Sequence, residues 1–335
     1  MKKLLAITLA LTMAASLLAG CGSSDKKPAG GEQSIKYVLK LSTQLNEADP
    51  LVEGFKKFKK NVETRTKGNL VVEIFPSAQL GSDEDVIEQL RQGANVAVLT
   101  DGGRMANFVK DIGIIGCPYI VDDYAQVEKL VASPSFKKWE ADLQKKSGIK
   151  VLAFNWYHGP RHFLTNKTVK SPDDLKGVRI RTPGAPVWQE SIKSMGATPV
   201  AMGWTEVYPS IQQKVIDGAE AQHLASYTSR LYEVAKFIVK TGHFQLINGI
   251  IAGDKWFNGL PKEYQAILVE EANKVGTETA KVVIGVADQY EKKMVDAGMT
   301  VVVPDVAAFK KASEKAYDAL GYKELRKQVQ AEIAK

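Results

Sequence analysis

From Ile35 to Phe154, short apolar runs alternate with stretches whose apolar residues recur every three or four positions. Ile35–Leu41, Leu70–Phe75, Val96–Leu99 and Ile149–Phe154 read as strands. Between the first two, Leu51, Phe55, Phe58 and Val62 fall on one side of a helix predicted over about Pro50 to Thr64. Asp83–Arg91 and the segments leading to Lys146 carry the same helical spacing. Val178–Arg181 reads as a further strand, stopped by Thr182-Pro183-Gly184. A helix opens at Pro186, where the missing N–H costs nothing. Strand and helix in alternation predict an α/β fold with largely parallel sheets.

Two stretches depart from that alternation. Asn155–Arg161 reads NWYHGPR, an aromatic cluster ending in Gly-Pro, which suits a chain crossing between two lobes. From Pro261 to about Met299 the helical pattern is nearly unbroken, and a helix of that length runs roughly 50 Å. Such an element outreaches one small lobe and is expected to brace both, with bends at Gly276 or Gly285. The expected division is a first lobe over residues 34–157 and 247–286, and a second over residues 158–246 and 287–335.

Composition supports this picture: 335 residues, 44% of them hydrophobic, are ample for two cores. The N-terminus reads as an address. Lys2 and Lys3 precede an apolar run, Leu4–Leu18, and Ala19-Gly20 then precede Cys21, the pattern of an export signal over residues 1–20. The run is too short for a membrane span of about 20 residues. Residues 21–33, rich in Gly, Ser and Lys, read as a flexible tether. Loss of Lys2 and Lys3 with the signal takes the formal charge from +7 to +5. No Lys/Arg run is interleaved with aromatics, so nucleic acid is not an expected partner, whereas anionic solutes suit a basic exported chain. Cys117 lies in apolar surroundings, and no CxxC pair supports structural zinc.

Catalytic patterns are thin. His158 and His162 are four apart, but Gly159-Pro160 interrupts any helix between them, so hydrogen-bonded histidines are expected rather than metal ligands. Ser135–Lys138 fits SxxK and Lys240-Thr241-Gly242 fits KTG, as in some exported serine hydrolases. Ser23–Lys26 and Ser147–Lys150 fit SxxK equally well, however, and Ser-Asp-Asn is missing. GxSxG, Walker A and GxGxxG are absent. The chain reads as a binding protein, with neither enzyme activity nor a cofactor expected. The binding candidate is Arg181. Strand carboxyl ends and helix N-termini hold anions in α/β proteins, and a guanidinium grips a carboxylate with two parallel hydrogen bonds. The bland reading is that Arg179 and Arg181, on one face of a strand, are both solvated surface charges.

Six strings in order turn that candidate into a family resemblance. They are Val72–Gly81 (VEIFPSAQLG), Gly159-Pro160-Arg161, Asp173–Gly177 (DDLKG), Arg179-Ile180-Arg181, Trp204–Tyr208 (WTEVY) and Asp217–Glu220 (DGAE). The chain from about Ser34 to Gly321 resembles the solute-binding proteins of tripartite ATP-independent periplasmic (TRAP) transporters. The resemblance implies a periplasmic-binding-protein-like fold, two α/β lobes around a ligand cleft. It implies that Arg181 clamps a solute carboxylate and that Arg161 assists. The family often has an Asn after the DGxE glutamate, where this chain has Ala221, followed by Gln222 and His223; one polar contact is thereby lost. The TDGGR loop nominates Asp101 and Arg104 from the other lobe, and Thr43 and Gln44 are added by position. Gln222 is a further candidate, with Trp204 and Tyr208 as walls beside Trp156, Tyr157 and Trp188, each of which also suits a lobe core. Glu206 and Glu220 are expected to orient arginines or cap helices.

What the resemblance implies for function is an extracytoplasmic receptor, expected to be a monomer, that delivers a small organic acid to the small and large membrane subunits of an ion-gradient-driven permease. A C4-dicarboxylate is the default ligand, and the departure at Ala221 leaves monocarboxylates, keto acids and aromatic acids open. Leu18-Ala19-Gly20-Cys21 also resembles a bacterial lipobox, which implies a lipid anchor on Cys21 to the membrane. The alternatives are a surface lipoprotein of the same fold feeding a sensor kinase, and an exported serine hydrolase.

Overall fold

The computed structural model describes residues 36–334. The signal, the tether and Cys21 lie outside the described residues. Among the described residues nine strands, β1 (Tyr37–Ser42), β2 (Leu70–Phe75), β3 (Val96–Asp101), β4 (Ile149–Thr165), β5 (Arg179–Thr182), β6 (Thr198–Ala201), β7 (Gly218–Ala221), β8 (Phe237–Gly253) and β9 (Thr300–Val302), join in one sheet. The order is β2-β1-β3-β8-β4-β7-β5-β6, with β9 also paired to β8. The β1–β2, β1–β3, β5–β6, β5–β7 and β8–β9 pairings are parallel. The β3–β8, β4–β7 and β4–β8 pairings are antiparallel, so the sheet is mixed.

β4 and β8, 17 residues each, hold this sheet together. The strand read as ending at Phe154 instead continues through Gly159-Pro160 to Thr165. The crossing expected at NWYHGPR is therefore a strand with irregular register rather than a break. The β4–β8 register shifts between Tyr157 and Gly159 and again between Arg161 and Phe163. Such bulges let a proline and a left-handed glycine (Gly159, φ +102°) sit within a paired strand.

Three apolar clusters form around the sheet. The first gathers Leu39, Phe55, Val72, Val98, Trp139 and Trp156. The second gathers Phe163, Ile180, Trp188, Ile192 and Phe309, and the third Leu164, Ile211, Ala219, Ile238 and Met294. The long helix, Lys262–Asp296, has 35 residues and so spans about 52 Å. It buries Leu268, Ala272, Val275 and Val283 in the first cluster and Met294 in the third. A Cβ on Gly276 would lie 2.3 Å from Asn155 Oδ1 and 2.9 Å from Trp156 Nε1, so glycine there permits the helix to lie against β4. Trp156 Nε1 donates to the Ala272 carbonyl at 3.1 Å across that contact. The C-terminal helix, Lys323–Ile333, returns Val329 and Ile333 to the first cluster. No helix among the described residues is long and apolar enough to cross a membrane.

Candidate functional site

The β5 strand carries Ile180 into the second core, which turns Arg179 and Arg181 to the opposite face. The two arginines differ in depth. Arg179, at the start of the strand, is half-exposed and pairs with Asp217 through Nε (2.9 Å) and Nη2 (2.8 Å). Arg181, near the strand's carboxyl end, is 2% exposed. Its Nε and Nη2 both donate to the Met202 carbonyl, at 3.0 and 2.8 Å, and its guanidinium lies 5.3 Å from the Trp204 ring centroid. Among the described residues Arg181 has no ion-pair partner, and its Nη1 makes no hydrogen bond. Burial draws its pKa down to about 9; Glu220 works against that fall, while Arg161 and Arg104 add to it. The group is still a cation at neutral pH, held in place along one edge and uncommitted along the other.

Arg181 lines a cavity of about 70 Å³, several times the space one water needs. Thr43, Gln44, Asp101, Arg104, Arg161, Trp204 and Gln222 line the same cavity. The sequence candidates thus converge, although they come from the segment after β1, from β3 and the turn that follows it, from β4 and β5, and from the segments after β6 and β7. Tyr208 does not join them: its hydroxyl donates to Glu233 at 2.8 Å and it lines a separate groove with Arg179. Glu206 is exposed and orients no arginine, and it makes no side-chain cap bond on the helix that follows. Glu220 does orient one. Arg161 Nε and Nη2 both donate to its carboxylate, Nη2 at 2.7 Å, and Nη2 also reaches the Glu220 carbonyl at 2.6 Å. Arg161 stacks 5.2 Å from the Trp188 ring. Burial pushes the Glu220 pKa up, and Arg161 offsets part of that rise.

Arg104 is the third buried cation, and its charge is taken up by carboxylates. Its Nη1 donates to Asp101 at 2.5 Å and its Nε to Glu84 at 2.8 Å, with Asp83 3.4 Å from Nη2. Burial alone would lower its pKa, but Asp83, Asp101 and Glu84 hold it above the usual range. Of the three guanidinium groups on this cavity, only Arg181 has no ion-pair partner among the described residues and so has charge left for an anionic solute.

Reading by sequence missed Asp83, Thr100, His158 and Asn248, all on the cavity wall. Asp83 sits in the first turn of the helix Asp83–Arg91, beside a capping box between Ser82 and Asp85, and so reads as a helix start. Thr100 ends the apolar run Val96–Leu99 and Asn248 interrupts the run from Leu246 to Ile251, and a polar residue there is the signal that was available. His158 Nε2 lies 3.1 Å from Asp49 Oδ2. His162 Nδ1 accepts from the Gly242 N–H at 3.0 Å, in line with the expected hydrogen-bonded histidine.

Two hydrogen bonds close over the cavity. Trp188 Nε1 donates to Asp101 Oδ1 at 2.7 Å, and the Trp204 N–H donates to Gln44 Oε1 at 2.6 Å. A Cβ on Gly103 would lie 2.3 Å from Trp188 Nε1, so the TDGGR loop needs glycine there for this approach.

Burial, with repulsion from Glu84 and Asp101, raises the Asp83 pKa to about 6 against the pull of Arg104. A carboxyl whose pKa rises on folding makes the fold bind its proton more readily, so stability falls as pH rises through about 6. Asp83→Asn is therefore expected to stabilise the unliganded protein by up to about 3 kcal/mol near neutral pH and by little near pH 4. Chemical denaturation of both proteins at the two pH values measures this. An equal gap at both would remove Asp83 as its source.

Comparison with known proteins identifies the relatives of this chain. The model of the family described as bacterial extracellular solute-binding protein, family 7 (DctP) matches residues 41–324. The C4-dicarboxylate-binding periplasmic protein DctP of Rhodobacter capsulatus is 31% identical over 271 residues, covering 78% of this chain and 79% of that protein. A TRAP periplasmic solute binding protein from Escherichia fergusonii, in an apo open structure, is 41% identical with a TM-score of 0.77, over 88% of this chain and 99% of that one. One from Ochrobacterium anthropi with bound L-fuconate is 32% identical with a TM-score of 0.86, over 89% and 99%. This chain belongs to bacterial extracellular solute-binding protein family 7, the solute receptors of TRAP transport.

Proposed function

We propose that the protein captures a small acid with one carboxylate and several hydroxyl groups outside the cytoplasm and delivers it to the small and large membrane subunits of a TRAP permease. The observation that carries this reading is the single uncommitted cation on the cavity among the described residues. Arg181 is buried with its Nη1 edge unpaired, while Arg161 is neutralised by Glu220 and Arg104 by Asp83, Asp101 and Glu84. A carboxylate on Arg181 gains a buried, charge-assisted pair. A second carboxylate would face Asp83 and Asp101 and be repelled, whereas ligand hydroxyls would donate to those carboxylates. This departs from the C4-dicarboxylate default and from the Rhodobacter relative, and it accords with the L-fuconate bound by the Ochrobacterium protein.

Capture proceeds by closure of two lobes about β4 and β8, the first built on the largest core and including the C-terminal helix. In support, this chain superposes better on the L-fuconate-bound relative than on the open one, although the open one is nearer in sequence. Rigid-body opening lowers an overall superposition without changing the fold. The Trp188–Asp101 and Trp204–Gln44 bonds are then contacts of the closed form. Lipid on Cys21 would hold the receptor at the membrane surface.

A thermal-shift panel of the mature protein tests the ligand reading, since a binder of the folded state adds about 2.7 kcal/mol at a hundred times its Kd. Hydroxylated monocarboxylates such as L-fuconate, L-galactonate and D-gluconate are expected to raise the melting temperature by several degrees, and succinate to leave it in place. Succinate stabilising as strongly as the hydroxy acids would restore the dicarboxylate reading.

A further inference from the structure

Two polar atoms on this cavity wall have nothing to bond. Thr100 Oγ1 and Gln222 Nε2 are buried without a hydrogen-bond partner among the described residues. Both residues are 2% exposed, and both line the cavity with Arg181. Buried polar groups are nearly always satisfied, and leaving one unpaired is costly. Thr100 arrives from β3 on one side, while Gln222 follows β7 on the other. Gln222 Oε1 lies 3.5 Å from Arg161 Nη1, which sets the amide with Nε2 as its free end.

The residue before Gln222 is turned into the core. Ala221, where the family resemblance places an Asn, is fully buried and packs in the third apolar cluster. The cavity nonetheless has an amide, supplied one residue later. Resting on the receptor reading above, we infer that Thr100 and Gln222 are the specificity-determining pair of this site. Gln222 Nε2 donates to one ligand oxygen, and the Thr100 hydroxyl, which both donates and accepts, takes a ligand hydroxyl from the opposite wall. Arg181 then selects the acid group, and this pair selects its hydroxylation pattern. Other buried orphans do not compete for the role: His243 Nε2, for instance, lies off the cavity, in a ring stacked on Phe163 at 4.4 Å.

Thr100→Val and Gln222→Met keep side-chain size and remove the free polar atoms. Calorimetry of wild type and both variants would use L-galactonate against L-fuconate, D-gluconate against 2-deoxy-D-gluconate, and L-lactate against propanoate, each pair differing by one hydroxyl. The unliganded melting temperature of Thr100→Val is expected to rise, because an unpaired buried hydroxyl is gone. Affinity for the best-bound hydroxy acid is expected to fall about fivefold to hundredfold in each variant, and the wild-type preference at one hydroxyl position to shrink towards one. A merely structural role would lower the melting temperature and leave that preference intact, which would overturn the inference, as would wild-type affinity in both variants. Failure of every acid to bind the wild type would instead bring down the receptor reading, and this inference with it.

Discussion

Replacing Arg181 with Met is expected to weaken binding of the captured acid by about 2–5 kcal/mol and to raise the stability of the unliganded protein. The two effects have one cause. Arg181 is a buried cation without an ion-pair partner among the described residues, and burial draws its pKa below the usual arginine range. A buried charge without a counter-ion costs the fold stability. Met keeps most of the stem's volume and removes the charge. Calorimetry gives the first effect and chemical denaturation the second. Unchanged affinity would place the solute's carboxylate elsewhere. Lower stability would mean that the bonds to the Met202 carbonyl outweigh the buried charge.

Periodicity made most elements legible because local burial follows local pattern. The helix read over Pro50 to Thr64 runs Pro50–Arg65, with Leu51, Phe55, Phe58 and Val62 all buried. Pro186 opens its helix as expected, and Asp83–Arg91 matches end to end. What escaped was long-range pairing. Nothing within residues 155–165 says that β8 runs alongside for 17 residues and carries the strand past Gly159-Pro160. The β3–β8 and β4–β8 pairings likewise make the sheet mixed, where alternation alone predicted a largely parallel one.

The site divides along the same line. Alternation along β5 predicts correctly that Arg179 and Arg181 share a face, but depth on that face is tertiary: Asp217 holds one at the surface, and Trp204 and Met202 cover the other. Asp101 and Arg104 were found through the TDGGR string, whose second glycine is there for Trp188 to approach. Asp83 was lost because a helix-capping context explains an acidic residue without any need of a cavity. Family strings therefore found residues that a shared backbone geometry requires. They did not find those whose role depends on what faces them across the cleft.

Glu220→Gln is expected to lower stability by about 3–5 kcal/mol, the usual cost of removing one partner from a buried ion pair. Glu220 is fully buried, holds Arg161 through both oxygens and accepts from the Thr182 hydroxyl at 3.3 Å. The amide keeps the shape and loses the charge, leaving the Arg161 guanidinium uncompensated. Replacing both partners with apolar residues of similar volume, Arg161→Met with Glu220→Leu, is expected to recover most of that loss, since a buried pair and a packed apolar pair are often near equal. Denaturation of the single and double variants measures the difference, and a double variant no more stable than Glu220→Gln would show that the charge was not the cause. The double variant also separates two roles for Arg161. If Arg181 alone grips the acid, the double variant still binds it with near wild-type affinity by calorimetry. If Arg161 shares the carboxylate, the double variant binds it weakly.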